Sequence, residues 1–183
     1  MFAGSLECAR NLPCLHDPIR YIYAMYIIEM TTRLPADPDR VWQEVNKPRL
    51  LFHVAHPLIQ FSAVDPLDLP DRWEEREYLL RMRLYGFVSL GRQVVSISRP
   101  EPSGKILFLR DNGHSSLIRR WDHLITVAPD GAATLYTDRI EIDAGIRTPV
   151  VAAFARIFYA HRQRRWRQLV EADFNYASKR PGT

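Results

Sequence analysis

The sequence predicts an α+β domain in which a curved, seven-stranded antiparallel sheet wraps around one long C-terminal helix. Three observations lead to this prediction: seven segments with strand-like patterns, two short helical segments after the first strand, and a long amphipathic segment that ends near residue 172. The links between the last six strands are too short for helical crossovers, so these strands must form an antiparallel meander. The long helix is the amphipathic element available to cover the concave face of such a sheet.

The first strand and the two short helices are defined by alternation and by proline. Residues 21–34 alternate, which predicts that the even positions are buried. These even positions are Tyr26, Ile28, Met30 and Leu34, with Thr32 as the polar exception. Asp37 is placed to cap a short helix whose first position is Pro38. Pro48 opens the second short helix, which Pro57 ends.

Six further strands are predicted between the second short helix and the long one. They cover residues 58–64, 73–85, 92–99, 105–111, 116–128 and 133–143, separated by links rich in Pro, Gly, Asp and Asn. We expect a single ligand-binding domain over residues 21–176. Residues 1–20 are expected to be a poorly ordered N-terminal extension, and residues 177–183 a short tail.

The long helix contains the segment FARIFYAHRQRRWRQLV, residues 154–170, in which basic and apolar residues are mixed. At about 100° per residue, one stripe contains Val151, Phe154, Phe158, His161, Arg165, Leu169 and Ala172. The opposite face is predicted to contain Arg156, Gln163, Arg164, Arg167 and Glu171, with Arg162 on the flank. A helix that turns His161 and Arg165 inward needs a partner surface that is mainly apolar but leaves space for water or for a polar group beside these two side chains.

The last two strands suggest a site on the concave face of the sheet. If Asp130 and Gly131 form a tight two-residue turn, His123 lies opposite Asp138. The same register pairs Trp121 with Ile140, Ile125 with Tyr136 and Val127 with Thr134. The polar alternate residues Asp122, Thr126, Arg139, Glu141 and Asp143 then face outward.

Composition favours an ordinary globular protein. Of the 183 residues 46% are hydrophobic and 25% are charged, and the net charge is +4. The two cysteines, Cys8 and Cys14, lie in the N-terminal extension, which is typical of a reducing compartment, so we expect a cytoplasmic location. No signal peptide is visible, and the longest apolar runs are too short to span a bilayer.

Several segments resemble the SRPBCC (START-like) superfamily. They are RLPADPDRVW, GFVSLGRQ, RRWDHLITV, YTDRIEIDAG and HRQRRW, and the resemblance covers about residues 22–172. That superfamily includes lipid-transfer domains and polyketide cyclases and aromatases. The resemblance implies a helix-grip fold with a cavity between sheet and helix, but it supplies no universal catalytic residues, so function must be argued from the site.

The candidate site residues are those expected to line this cavity. For ligand binding they are Met30, Trp121, His123, Tyr136, Asp138, Ile140, Phe154, Phe158, His161 and Arg165. His123 and Asp138 are also the catalytic candidates, because a carboxylate can orient an imidazole that acts as a general base. The alternative is a purely structural pair, in which each polar group satisfies the other inside the core.

The function predicted first is binding of a small, largely apolar ligand of lipid, polyketide or aromatic type. The alternative is a polyketide cyclase/dehydratase-like enzyme, with His123 as base and Arg165 as anion stabiliser. A third option is a basic surface for nucleic acid or acidic lipid, formed by Arg156, Arg164 and Arg167. No metal and no cofactor are expected, since His53 and His56 lack a third ligand in a suitable pattern. No specific nucleic acid and no transmembrane segment are expected; a weak membrane-surface contact and the oligomeric state stay open.

Overall fold

The computed structural model describes residues 25–177, and it confirms the predicted fold class. The elements are β1 (Tyr26–Leu34), α1 (Pro38–Val45), α2 (Pro48–Ala55), β2 (Ile59–Asp65), β3 (Glu77–Leu84), β4 (Val88–Ser98), β5 (Leu107–Ser115), β6 (Arg120–Asp130), β7 (Ala133–Asp143), a 3₁₀ turn (Gly145–Arg147) and α3 (Thr148–Glu171). The strands form a seven-stranded antiparallel sheet in the order β1-β7-β6-β5-β4-β3-β2. The N-terminal extension with Cys8 and Cys14, and residues 178–183 of the tail, lie outside the described residues.

Helix α1 begins as its sequence predicts. The carboxylate of Asp37 accepts hydrogen bonds from the backbone N–H groups of Asp39 and Arg40, at 2.9 and 3.3 Å. Pro38 follows at the first helical position, where its missing N–H costs nothing. No helix within residues 25–177 combines the length and the apolar character needed to cross a bilayer.

Several strand bounds differ from the prediction because local backbone features extend or shorten them. β4 begins at Val88 rather than at residue 92, because Gly91, with a φ of +89°, forms part of an irregularity that lets the strand continue through the predicted bend. β3 begins at Glu77 rather than at residue 73, because Trp73 is held in the preceding loop, where its N–H donates to the carbonyl of Asn46. β5 continues to Ser115, beyond its predicted end at residue 111.

The β6–β7 hairpin has a register two residues away from the predicted one. Asp130 pairs with Ala133, so the turn consists of residues 131–132 instead of Asp130 and Gly131. Gly131 adopts a φ of +63°, which glycine tolerates best. In the observed register Trp121 pairs with Ile142, His123 with Ile140, Ile125 with Asp138 and Val127 with Tyr136. Because side chains alternate with a period of two, a shift of two leaves each side chain on its predicted face.

Helix α3 lies across the concave face, but its buried side is rotated from the predicted side by about one residue, roughly 100°. Its buried residues include Ala152, Ala155, Phe158, Tyr159, Arg162, Gln163, Trp166, Leu169 and Val170. Gln163, predicted on the outer face, is buried and donates to the carbonyl of Met30 at 2.7 Å. His161 and Arg165, predicted inside, are only partly buried. The prediction of the inward face was therefore wrong for His161, Arg165 and Gln163, whereas Phe158 and Leu169 are buried as predicted.

The indole of Trp166 accounts for much of this rotation. The residue is 2% exposed and makes edge contacts with the rings of Tyr136 and Phe174, at centroid distances of 6.1 and 5.9 Å. A large aromatic side chain gains more from burial than a histidine or an arginine does. The helix consequently packs on β1, β7 and α2, and it leaves part of the concave face uncovered.

Replacing Trp166 by alanine tests the observed helix face. Trp166→Ala should lower the free energy of unfolding by about 3–5 kcal/mol, because it removes a buried aromatic side chain. Arg164→Ala, on the exposed side of the same helix, should change it by less than about 0.5 kcal/mol. Urea denaturation of both variants provides the measurement, and equal losses would contradict the assignment.

Candidate ligand-binding cavity

A cavity of about 680 Å³ lies between the concave face of the sheet and the N-terminal half of α3. Its walls come from both short helices, from strands β2 to β7 and from α3, and they are mainly aliphatic and aromatic. Representative wall residues are Leu50, Phe61, Val95, Leu109, Ile125 and Phe154. The volume lies inside the range of about 300–1,000 Å³ that is usual for sites of small molecules.

A small group of polar side chains interrupts this apolar wall. It contains Gln93, Asp111, His123, Tyr136, Tyr159 and Arg162. Asp111 on β5 and His123 on β6 are directly opposed across the two strands, so their side chains lie side by side on the concave face. The cavity therefore has a polar region within an otherwise apolar surface.

The His123–Asp138 pair predicted from the sequence is present, although the two residues are diagonal rather than opposite. Nε2 of His123 lies 2.7 Å from Oδ1 of Asp138, which also accepts a hydrogen bond from the hydroxyl of Tyr136 at 2.9 Å. Nε2 of Gln163 donates to Oδ2 at 3.2 Å. Burial alone would raise the pKa of Asp138, but the charge of Arg162 and these hydrogen bonds bring it below its usual value. Asp138 is therefore an ionised, fully satisfied carboxylate.

The imidazole of His123 is neutral at neutral pH. Burial lowers its pKa below the usual value, and the opposing effect of Asp138 is too small to reverse this. Since Asp138 is ionised, Nε2 of His123 carries the proton of their hydrogen bond and Nδ1 has the lone pair. Among the described residues nothing hydrogen-bonds to this Nδ1. A basic nitrogen is thus available on a residue that lines the cavity.

Arg162 is a polar cavity residue that the sequence prediction missed. It is 7% exposed, and its guanidinium lies over the rings of Tyr159 and Phe158, at 4.9 and 5.7 Å from their centroids. Within residues 25–177 it forms no ion pair and donates no hydrogen bond, and its Nε is buried without a partner. A correct choice of helix face, anchored on Trp166, would have placed Arg162 inside.

Asp111 is a second polar residue that the sequence prediction omitted. Its Oδ1 accepts a hydrogen bond from the backbone N–H of Ser96 at 2.9 Å. Burial raises the pKa of Asp111 to about 7, although the bond to Ser96 and the charge of Arg162 act in the opposite direction. Asp111 was the last residue of the predicted strand, and the alternation from Leu107 and Leu109 puts it on the inner face, but its side chain was not counted among the candidates.

The predicted site residues fall into two groups in the structure. Trp121, His123, Tyr136, Phe154 and Phe158 line the cavity, whereas Met30, Asp138, Ile140, His161 and Arg165 do not. Asp138 lies behind His123, and Ile140 and Met30 pack in the core between helix and sheet.

His161 and Arg165 instead contact the segment around α2. Nε2 of His161 donates to the carbonyl of His56 at 3.0 Å, and Arg165 lies 3.3 Å from Nε2 of His53. Burial, together with the charge of Arg165, lowers the pKa of His53 to about 4. Across residues 25–177, no three His, Cys, Asp or Glu side chains are grouped in a way that could hold a metal ion.

A family profile described as a domain of unknown function (DUF8410) matches residues 32–170. A search of the curated proteins finds no match to the chain.

Solved structures with a similar fold include proteins of different activities. One is the Zhui aromatase/cyclase from Streptomyces sp. R1128, with a TM-score of 0.57, 10% identity, and coverage of 86% of this chain and 100% of that one. A START superfamily protein from Mycobacterium smegmatis has a TM-score of 0.54, 14% identity, and coverage of 81% and 99%. Norcoclaurine synthase from Thalictrum flavum, in complex with dopamine and hydroxybenzaldehyde, has a TM-score of 0.55, 10% identity, and coverage of 97% and 100%. At these identities the similarity shows the fold, which is the helix-grip fold of the SRPBCC (START-like) superfamily.

Replacing Asp111 by asparagine tests the raised pKa of this residue. Because burial raises the pKa of Asp111 from its usual value of 3.8 to about 7 in the folded protein, the wild type loses stability as the pH rises between these two values. Asp111→Asn should therefore gain stability over the wild type as the pH increases through this window, by up to about 1.4 kcal/mol per pH unit. Urea denaturation at about pH 5 and about pH 8 gives the difference. A difference that does not change with pH would contradict the raised pKa.

Proposed function

The chain belongs to the DUF8410 family, a domain of unknown function, and we propose that it binds a small, largely apolar molecule in the cavity between the sheet and α3. The observation that carries this proposal is the cavity itself, with its volume of about 680 Å³ and its aliphatic and aromatic walls. Protein interiors are normally close-packed, and a large internal space costs stability when nothing fills it. Such a space favours a role in holding a ligand.

The ligand class that we propose covers lipid, polyketide and aromatic molecules. Norcoclaurine synthase, which has this fold, is known in complex with two small aromatic compounds. The rings of Trp121, Phe154 and Phe158 line the cavity of the present chain and offer apolar surfaces for a ligand of this kind. We further propose that the protein acts in the cytoplasm, since residues 15–183 contain no cysteine.

An enzyme of the polyketide cyclase/dehydratase type is the second candidate, and His123 favours it. The neutral imidazole is oriented by Asp138 and has an unused Nδ1 at the cavity. Nδ1 could take a proton from a carbon beside a ligand carbonyl, while the electron pair moves to the carbonyl oxygen. Arg165 lies too far outside the cavity to stabilise that oxygen, whereas Arg162 lines it. The lowered pKa of His123 makes it a weaker base, so binding remains the first proposal.

The basic surface of α3 gives little support to nucleic-acid or acidic-lipid binding. Arg156 donates to the hydroxyl of Tyr26, and Arg167 donates to the hydroxyl of Thr32. Arg164 lies 3.3 Å from a ring nitrogen of His161. These guanidinium groups are engaged with the protein's own side chains rather than arranged as a free basic stripe.

Filling part of the cavity with a tryptophan should weaken apolar binding. We expect the neutral dye Nile red to bind the wild type with a stoichiometry near one, and Val151→Trp to weaken it by about tenfold or more, since Val151 lines the cavity. Ile157→Trp, on the same helix but 63% exposed, is the matched control and should change affinity by less than about twofold. Fluorescence titration measures both, and equal effects would remove the cavity as the site.

Salt separates cavity binding from phosphate binding. Nile red affinity should be almost unchanged between about 50 and about 500 mM NaCl, whereas binding to nucleic-acid phosphates weakens steeply over this range. Titration of a fluorescent oligonucleotide under the same conditions should show no specific complex. Tight oligonucleotide binding that is lost in Arg164→Ala would favour the third option instead.

The enzyme candidate predicts proton abstraction by His123. In D₂O the wild type should accelerate exchange of the α-protons of 2-tetralone, followed by NMR, and His123→Gln should reduce the enzymatic rate by about tenfold or more. His114→Gln, an exposed histidine outside the cavity wall, is the control. If His123→Gln and Asp138→Asn lose stability but the exchange rate per folded molecule is unchanged, the pair is structural and the catalytic candidate is withdrawn.

A further inference from the structure

Three polar groups on residues that line the cavity have hydrogen-bonding capacity that no described residue uses. They are the guanidinium of Arg162, Oδ2 of Asp111 and Nδ1 of His123. Asp111 and His123 are cross-strand neighbours. The guanidinium of Arg162 on α3 lies over the ring of Tyr159, which contacts the ring of His123 at a centroid distance of 4.9 Å. These groups therefore face one region of the cavity, which is the region where a polar part of a ligand would be recognised.

Arg162 imposes the strongest requirement on what occupies this region. A guanidinium does not lose its proton in proteins, and its five N–H donors need acceptors. The residue is 7% exposed and has aromatic rings beside it, but no carboxylate forms an ion pair with it. Asp111 does not supply the missing acceptor, because its Oδ1 is bound by the N–H of Ser96 and, within residues 25–177, neither of its oxygens forms a hydrogen bond or an ion pair with Arg162. A planar, two-oxygen anion is the group that matches a guanidinium best.

We propose that the ligand is a lipophilic carboxylic acid whose carboxylate binds between Arg162 and Asp111, while its apolar part fills the remaining cavity. This inference rests on the proposed binding function and makes it more specific. One carboxylate oxygen accepts from the guanidinium of Arg162, and the other accepts from Oδ2 of Asp111 in its protonated form. An ammonium ligand does not fit, because the guanidinium of Arg162 would repel its positive charge. The N–H donors of Arg162 would also remain without acceptors.

The charges around the subsite require a proton on Asp111 in the complex. The charge of Arg162 already acts on the ionised Asp138 on β7, so a ligand carboxylate beside an ionised Asp111 would place two further negative charges near one guanidinium. Asp111 must therefore bind one proton from solvent when the ligand anion enters above about pH 7. Protonated Asp111 then donates a hydrogen bond instead of repelling the ligand.

The other titratable groups near Asp111 keep one charge state around neutral pH. On α3, burial raises the pKa of Tyr159 far above neutrality, and Arg162 stays protonated. On β6, His123 is neutral, and Asp122 is ionised because its hydrogen bonds to Arg110 and Arg120 lower its pKa. Asp138 on β7 is ionised. Asp111 is consequently the group of this set that titrates as the pH passes through about 7.

The first experiment compares three probes with the same alkyl chain, each measured by displacement of Nile red: decanoic acid, methyl decanoate and decylamine. We expect the acid to bind the wild type most tightly. Arg162→Met should weaken the acid by about tenfold or more and the ester by less than about threefold. Arg164→Met, an exposed arginine of the same helix, is the matched control and should leave the affinity for each probe unchanged.

The second experiment uses pH and does not depend on the folding of an Arg162 variant. Decanoate affinity of the wild type should be nearly constant below about pH 6.5 and fall by about tenfold per pH unit above about pH 7.5, because one proton is taken up with the ligand. Affinity for the methyl ester should not follow this profile. Asp111→Asn should flatten the profile for decanoate and keep its affinity at high pH, since the amide donates without a proton from solvent.

Other outcomes overturn the inference. Equal binding of acid and ester, preferential binding of decylamine, or a flat pH profile in the wild type would each exclude the carboxylate subsite. If Nile red binds and none of the alkyl probes displaces it, the subsite is also excluded and the cavity keeps its proposed general role. If Nile red itself does not bind, the proposed function fails, and the subsite fails with it.

Discussion

The carboxylate of Asp138 connects the sheet to the C-terminal helix, and the arrangement of the cavity depends on this connection. It accepts hydrogen bonds from His123 and Tyr136 on the sheet and from Gln163 on α3, with the charge of Arg162 close by. A buried ionised group is tolerated only when its oxygens are satisfied and its charge is compensated. The observed rotation of α3 meets both conditions, because Gln163 donates a hydrogen bond to Asp138 and Arg162 compensates its charge. The burial of Asp138 and the aromatic packing of Trp166 therefore favour the same orientation of the helix.

The same rotation divides the interior into two parts with different properties. Below the C-terminal half of α3, Trp166 and its aromatic neighbours form a filled core. Toward the N-terminal half, the helix packs on β1 and β7, and the concave surface of the middle strands stays open as the cavity. Arg162 lies where these two parts meet. The filled core below the C-terminal half of α3 can therefore stabilise the fold while the cavity near its N-terminal half stays open.

The sequence determined the order of the elements, the fold class and the side of each of the last two strands that faces inward. These properties depend on short-range patterns: alternation with a period of two, the cap at Asp37, and prolines at helix starts. The alternation predicted the inward side of both strands correctly even though the predicted turn was misplaced. The register was wrong by two residues, yet His123 and Asp138 were correctly predicted as partners, because a shift of two moves a side chain along its face and not across it.

Only the tertiary structure decided which residues of α3 face the cavity. Apolar residues occur around most of this helix, including exposed Val150 and Ile157, so two stripes about 100° apart fit its sequence almost equally well. The choice between them depends on contacts with distant residues, such as Trp166 with Tyr136 and Gln163 with Met30. The cavity's polar groups follow from the same long-range packing. A helical period fixes which residues share a face, whereas the partner surface fixes which face is buried.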